Sequence, residues 1–335
     1  MIKTDILIIG AGPCGLFTVF EAGLAKLHCH LIDYLPQPGG QLTEIYPKKP
    51  IYDIPGFPSI LAGELVENLM EQAAPFKPGF TLGEVCETIE RLEDGSFKVV
   101  TNRGTAHNAP VIAIAAGLGC FAPRKPKVDG LADFEDKGIE YIVKDPEMYR
   151  NKKVVISGGG DSALDWAIYL ADMVSELTLI HRRTEFRGAP DSVQKVKDLQ
   201  KAGKISLLDN TQVVNLKGEE HLTGIVWKNQ DAATGDLEVD HWIPLFGLSP
   251  KLGPIADWGL QLQKNAIVVS PLDFKTSVDG IYAIGDINDY EGKLKLILCG
   301  FHEATLMVHS AFKYINPNER LSLKYTTIQG VQGFD

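Results

Sequence analysis

Short apolar runs rich in β-branched residues alternate along this chain with stretches of helical periodicity, the pattern of an α/β protein. Residues 5–9 form one such run, and a glycine turn at 10–15 separates it from an apolar-periodic stretch that ends at Leu24. A second run, 29–32, leads directly into Asp33. The predicted order is therefore strand, turn, helix, strand and acid.

This order is typical of a dinucleotide-binding unit. The first two glycines allow a tight turn and a close approach of the backbone to a pyrophosphate, and the third lets the helix pack against the strand. The helix N-terminus then faces the phosphates, and an acid about 20 residues later binds the ribose hydroxyls. The residues expected at this dinucleotide are Gly10, Gly12, Pro13, Cys14, Gly15 and Asp33.

The same order returns in the second half of the chain. Residues 153–157 predict a strand, 158–163 a second turn, 164–173 a helix and 176–180 another strand. Asp33 stands 23 positions after Gly10, and His181 stands 23 positions after Gly158. Two arginines follow His181 where the first unit has its acid, and guanidinium groups can bind a 2′-phosphate in a two-pronged way. The residues expected at this second dinucleotide are Gly158, Gly160, Asp161, Ser162, His181, Arg182, Arg183 and Arg187.

The two units therefore differ at the ribose position. The first favours a dinucleotide with a free ribose and the second a phosphorylated one, which predicts FAD in the first unit and NADPH in the second.

The composition of the chain limits the classes of binding partner and the cellular compartment that can be expected. The 335 residues carry a formal net charge of −10, which disfavours nucleic acid and anionic membranes as partners. The longest apolar stretches, 6–16 and 111–121, are too short to span a bilayer. Five scattered cysteines without a CxxC pair offer neither a zinc ribbon nor a dithiol, and this odd, unclustered set predicts a reducing, cytoplasmic location and no metal site.

Further motifs resemble those of flavoproteins with two dinucleotide-binding domains. Residues 280–286 are similar to the strand-and-acid motif that holds the FAD ribityl and pyrophosphate, here with Asp286. Segments 111–117 and 242–247 resemble the two crossings between domains. The resemblance implies an FAD domain made of 1–117 plus 248–335, with an inserted NADPH domain at 118–247. The expected fold is thus two Rossmann-like three-layer α/β domains.

Within that group the whole chain resembles the thioredoxin-reductase-like ferredoxin–NADP(+) reductases. The resemblance rests on segments 35–42, 45–47, 51–57, 158–166, 291–293 and 300–304. Thioredoxin reductases share the fold but carry a CxxC just before the second glycine turn, where residues 140–149 contain no cysteine. The resemblance therefore implies electron transfer to ferredoxin or flavodoxin rather than to thioredoxin.

The resemblance also implies a mechanism and an assembly. NADPH would deliver hydride to flavin N5, and two one-electron transfers to ferredoxin would follow, or the reverse, without a catalytic side chain. The family is dimeric, and a C-terminal extension, here 316–335, reaches the partner's flavin. By matching position, Tyr46 and Tyr325 would stack on the two faces of the isoalloxazine. Further expected cofactor contacts are Gln41, Cys86, Phe121 and Thr327.

Two other functions stay open on the sequence alone. Cys14 lies at a helix N-terminus, where a thiolate would be stabilised, and bacillithiol-disulfide reductases resemble this chain at the same Gly-Pro-Cys-Gly turn. This makes an NADPH-dependent reductase of small disulfides the main alternative. A nucleotide sensor without turnover is a second. An acidic ferredoxin would also need a local basic surface, for which the candidates are Lys48, Lys49, Arg124, Lys125, Lys127, Lys293 and Lys295.

Overall fold

The structure is a computed structural model that describes residues 1–119, 122–249, 252–321 and 326–335. Phe121 and Tyr325, two of the expected cofactor contacts, lie outside the described residues. The chain divides into two compact units, Met1–Phe121 with Pro250–Asp335, and Ala122–Ser249. The predicted boundaries follow residues 117 and 247, whereas the compact units change after residues 121 and 249.

The described residues of the first unit begin with ten strands and three α-helices. The strands are β1 (Ile2–Lys3), β2 (Ile6–Ile9), β3 (Cys29–Asp33), β4 (Pro50–Ile51), β5 (Ile60–Leu61), β6 (Gly79–Leu82), β7 (Cys86–Arg91), β8 (Phe97–Thr101), β9 (Ala106–Ala109) and β10 (Val111–Ile114). The helices are α1 (Pro13–Leu24), α2 (Gln41–Glu44) and α3 (Ala62–Ala73).

The second unit contains nine strands and two α-helices in its described residues. The strands are β11 (Ala122–Pro123), β12 (Lys153–Ser157), β13 (Glu176–Ile180), β14 (Ser206–Leu208), β15 (Thr211–Gly218), β16 (Leu222–Asn229), β17 (Thr234–Glu238), β18 (His241–Pro244) and β19 (Leu248–Ser249). The helices are α4 (Asp161–Leu170) and α5 (Pro190–Lys201).

The chain then returns to the first unit. It adds the strands β20 (Leu262–Gln263), β21 (Ala266–Val268), β22 (Ile281–Ala283) and β23 (Asn288–Asp289), and the helices α6 (Ile297–Ile315) and α7 (Thr326–Gln329). In the described residues, no helix is long and apolar enough to cross a membrane.

A five-stranded parallel sheet forms the centre of the first unit, in the order β22-β10-β2-β3-β6. All residues of β2 and β10 are buried, as expected for parallel strands covered on both faces. Strand β2 pairs in register with β3 from Ile6 opposite Cys29 onward. Helix α1 packs against α3 and α6, and the unit also contains a four-stranded sheet, β1-β9-β8-β7, and two small sheets, β20-β21-β23 and β4-β5. The carboxyl ends of β2 and β3 therefore lie side by side.

The second unit has its own parallel sheet, in the order β14-β13-β12-β18. An antiparallel sheet of β15, β16 and β17 shares a core with it through Ile180, Ile225 and Trp242. Each unit thus contains a glycine turn followed by a helix that lies beside a parallel sheet, in agreement with the predicted α/β class.

One helix differs from its prediction. The periodicity predicts a helix over 164–173, but α4 occupies Asp161–Leu170. The helix begins early because Gly160 is extended, with φ −100° and ψ 179°, and serves as its N-cap. After Leu170 the chain continues as a turn, in which the amides of Met173 and Val174 both donate to the Leu170 carbonyl, at 2.9 and 3.1 Å.

Candidate functional site

The three glycines of the first turn, Gly10, Gly12 and Gly15, have different roles. Gly10 has φ +109°, and a Cβ there would lie 2.4 Å from the Ala115 carbonyl oxygen. A Cβ on Gly15 would lie 2.0 Å from the Gly10 carbonyl oxygen, so this glycine lets α1 approach the strand. A Cβ on Gly12 would meet only the Gly40 Cα, at 4.0 Å. The first and third glycines are therefore required by packing, whereas the second leaves space for a ligand.

The N-terminus of α1 is open toward this space. Gly12 is its N-cap and Pro13 its first residue, and none of the described side chains caps it. Its unpaired amide groups are the kind of donors that bind phosphate.

Asp33 ends strand β3 beside this turn. Its Oδ2 accepts from the Ala11 amide at 2.6 Å and its Oδ1 from the Leu35 amide at 2.9 Å. The side chain is buried, and this burial raises the pKa of the carboxyl group despite hydrogen bonds from the Leu35, Ala11 and Tyr34 amides. A carboxylate has about four acceptor positions, so with three of them used by backbone amides one remains for a ribose hydroxyl.

One pocket of the first unit collects most of the residues expected around FAD. Asp33 and Cys86 line it, and so do Tyr46, Gln41 and Asp286. Burial, reinforced by the charges of Asp286 and Asp53, raises the pKa of Tyr46 to about 12, so its hydroxyl is protonated at neutral pH. Residues that were not predicted to contact the cofactor line the same pocket: Tyr34, Gly40, Glu84, Val85, Ala115, Ala116, Leu252, Pro254, Ile255, Lys295 and Ile297.

Thr327 is not brought to this pocket. It is exposed on helix α7 and is not among the described residues that line the cavity.

Cys86 begins strand β7 and is buried, and burial raises the pKa of its thiol to about 12. This agrees with a buried structural cysteine.

The structure disfavours a stabilised thiolate at Cys14, the basis of the alternative function. Burial raises the pKa of the Cys14 thiol to about 12, and the carboxylates of Asp286 and Glu303 add to the shift. Its sulfur lies where a Cβ on Gly300 or Gly285 would have to go, at 2.3 and 3.1 Å. Packing between helices and nearby negative charge therefore outweigh the helix N-terminus.

Glu303 is a polar residue of the site that the motifs did not assign. It lies on the buried face of α6, and its Oε2 accepts from the Gly285 amide at 2.7 Å, next to Asp286. Burial raises the pKa of Asp286, while Lys295 and Lys293 oppose that shift. A charged residue on the apolar face of a helix was the available sequence signal.

Lys293 pairs with Glu303, and its side chain is only 4 % exposed, so its expected role in docking ferredoxin is wrong.

The second unit repeats the open helix N-terminus. Gly160 is the N-cap of α4, and none of the described side chains caps it. A Cβ on Gly160 would meet no atom within 4 Å, whereas one on Gly158 would lie 2.6 Å from the Ala163 Cβ. Ser162 is exposed in the first turn. The backbone at Gly160 is therefore accessible to a phosphate.

His181 has a different role from the two arginines that follow it. It is buried, stacks on Phe186 with ring centroids 4.9 Å apart, and its Nε2 lies 3.0 Å from the Glu185 carbonyl oxygen. Burial lowers the pKa of its imidazole, so the ring is uncharged at neutral pH. The ring packs against the buried side of the glycine turn, at Gly159. Arg182 and Arg183 are exposed.

The loop that carries Arg187 folds back onto the turn. The Arg187 amide donates to the Gly159 carbonyl at 2.7 Å, and Asp161 Oδ1 accepts from the Ala189 amide at 2.7 Å. These two bonds hold the exposed Arg187 beside the N-terminus of α4. Asp161 therefore serves as a tether for this loop.

Comparison with known proteins places the chain in context. A family model described as pyridine nucleotide-disulphide oxidoreductase matches residues 4–304. A protein named ferredoxin–NADP reductase 2 from Christiangramia forsetii is 66 % identical over 338 aligned positions, covering 100 % of this chain and 96 % of that protein. A ferredoxin–NADP reductase from Flavobacterium johnsoniae is 62 % identical over 336 positions, with the same coverage.

Solved structures show the same fold. A thioredoxin reductase from T. acidophilum superimposes with a TM-score of 0.80 at 25 % identity, covering 93 % of this chain and 99 % of that one. A bacillithiol disulfide reductase from Staphylococcus aureus gives a TM-score of 0.74 at 18 % identity, covering 92 % and 98 %. The predicted fold class is thereby confirmed.

Proposed function

Because the chain belongs to the pyridine nucleotide-disulphide oxidoreductase family, we propose that it is a ferredoxin–NADP reductase, an enzyme that moves electrons between NADPH and ferredoxin through FAD. The observation that carries the proposal is identity of 62–66 % over the whole chain with proteins bearing that name. Flavodoxin is an alternative acceptor of the same kind.

The pocket of the first unit has the donor set that FAD requires. The open amide groups of α1 would hold the pyrophosphate, Asp33 the ribose, and Asp286 the ribityl chain. Tyr46 and Gln41 would contact the isoalloxazine. FAD, when bound, supplies the conversion between a two-electron donor and one-electron steps. The protein contributes binding, orientation and exclusion of water, and no side chain need form a covalent bond.

The second unit would hold NADPH. The N-terminus of α4 and Ser162 would contact the pyrophosphate. Arg182, Arg183 and Arg187 are exposed cations near this turn and would bind the 2′-phosphate, which NADH lacks. We accordingly assign FAD to 1–117 plus 248–335 and NADPH to 118–247.

Reduction of small disulfides by Cys14 has less support. Its thiol is packed and its pKa is raised to about 12, which disfavours the thiolate that such chemistry needs. The chain also has no CxxC pair to pass electrons onward.

We also propose a homodimer in which the extension 316–335 covers the partner's flavin. In support, Ile328 on helix α7 is 77 % exposed, an apolar side chain that a second copy could cover. A cytoplasmic location is proposed from the odd number and scattered positions of the cysteines.

Stopped-flow spectroscopy tests the proposed function. We expect the purified protein to contain FAD, to be bleached faster by NADPH than by NADH, and to be reoxidised over many turnovers by a ferredoxin but not by small disulfides. A colourless protein would contradict the proposal. Bleaching without turnover would favour the nucleotide sensor, and turnover with disulfides alone would favour the Cys14 mechanism.

A further inference from the structure

Glu303 is fully buried on a helix face that is otherwise apolar. It lies on α6 beside Ala304 and Met307, and its exposed fraction is 0 %. A carboxylate is very unfavourable in such a place unless donors and an opposite charge satisfy it. Its partners therefore define its role.

Four donors converge on its two oxygens. Oε2 accepts from the Gly285 amide at 2.7 Å and from the Asn288 side-chain amide at 2.9 Å. Oε1 accepts from the Tyr290 hydroxyl at 3.0 Å and from the Lys293 ammonium group. The carboxylate thus uses all four of its acceptor positions.

The donors belong to the segment that leads from β22 past the proposed FAD site. Gly285 has φ +74°, and on its other side a Cβ would lie 3.1 Å from the Cys14 sulfur. The turn is therefore held between α6 and α1, and Asp286 follows it immediately on the wall of the pocket. The Asn288 amide also donates to the Ala283 carbonyl at 2.9 Å, which ties the same carboxylate to the end of β22.

We propose that Glu303 is a positioning residue of the FAD site, which sets the turn that carries Asp286, and that Lys293 is its buried counter-charge. This inference rests on the proposed function, since it concerns the same pocket. Glutamine cannot replace Glu303, although its shape is the same. Its single oxygen can serve either the Gly285 and Asn288 amides or the Tyr290 and Lys293 donors, and its NH₂ group would then face the other two donors.

The charges of Glu303 and Lys293 predict opposite shifts of the flavin midpoint potential, which a merely structural role would not produce. Glu303→Gln leaves a buried positive charge at Lys293, which should raise the flavin midpoint potential. Lys293→Met leaves a buried negative charge at Glu303, which should lower it. General loosening of the fold would move both variants in the same direction. The double variant Lys293→Met/Glu303→Gln buries no net charge and should return toward the wild-type potential.

The experiment measures FAD affinity of the apoprotein by flavin fluorescence, the flavin midpoint potential, and the melting temperature of the apoprotein. Lys275→Met is the matched control, because Lys275 pairs with Asp273 at 3.1 Å in the same unit without lining the pocket. We expect Glu303→Gln and the double variant to bind FAD about tenfold more weakly or worse, and Lys275→Met to bind it as wild type. The double variant keeps the test decisive if Glu303→Gln does not fold.

Two outcomes separate the inference from the proposed function. If wild-type apoprotein binds no FAD, the proposed function fails and the inference with it. If wild type binds FAD while the Glu303 and Lys293 variants match Lys275→Met in affinity and potential, the inference alone is overturned.

Discussion

Gly159, the middle glycine of the second turn, offers a sharp test of how the NADPH unit is built. A Cβ on Gly159 would lie 2.0 Å from His181 Cε1 and 2.3 Å from its Nδ1. The ring cannot move aside easily, because it stacks on Phe186 and its Nε2 contacts the Glu185 carbonyl. Gly159→Ala should therefore displace His181 and with it the loop that carries Arg187, which is bonded to the Gly159 carbonyl.

The expected size follows from overpacking. Forcing one methyl group into a filled core costs about 1–3 kcal/mol. At roughly 4 °C per kcal/mol, the melting temperature of this unit should fall by about 4–12 °C. Because Arg187 moves as well, KM for NADPH should rise, whereas the FAD content should stay that of wild type.

Gly160→Ala is the control, since its Cβ would meet no protein atom within 4 Å. We expect that variant to keep its melting temperature and still lose NADPH affinity, because the added methyl would stand where the pyrophosphate approaches. Differential scanning calorimetry and steady-state kinetics with NADPH measure both effects. If Gly159→Ala melted like wild type and kept its KM, the role assigned to His181 would be wrong.

Three further predictions concern charge and protonation. Arg182→Ala with Arg183→Ala should reduce the preference for NADPH over NADH about tenfold, and an unchanged ratio of kcat/KM values would contradict the assignment of the 2′-phosphate site. Burial lowers the pKa of His30 to about 4 in the folded protein, so the unfolded chain binds more protons between pH 6.5 and 4. Stability should fall across that window as pH falls, by up to about 3 kcal/mol, and denaturant unfolding should show a smaller loss in His30→Phe. Cys14 should react with iodoacetamide at pH 8 far more slowly than free cysteine, because its pKa is raised to about 12, and rapid labelling located by mass spectrometry would revive the disulfide hypothesis.

Local patterns were sufficient to predict the repeated unit. Strand β12 occupies the predicted residues, and α1 ends at the predicted Leu24. These elements were predictable because apolar periodicity and glycine turns act over a few neighbouring residues. The acid at one strand end and the arginines at the other could be found in the same way, since a fixed spacing from the turn sets their position.

Other features depend on residues that are distant in sequence. Asp286 and Lys295 meet Tyr46 in one pocket only because the chain returns to the first unit after residue 250. His181 has the register of a ribose ligand, but its side chain turns into the core because Gly159 leaves room for the ring.

Two glycine turns, the helices that follow them, and the opposite charges that distinguish the two nucleotide sites could be predicted from sequence, because they are short-range properties. The state of Cys14 and Lys293 depends instead on how the chain folds. A helix N-terminus favours a thiolate and a surface lysine favours a docking role, but burial beside Asp286 and Glu303 reverses the first and pairing with Glu303 removes the second. Desolvation and charge pairing depend on which side chains meet in space, and spacing along the chain does not encode that.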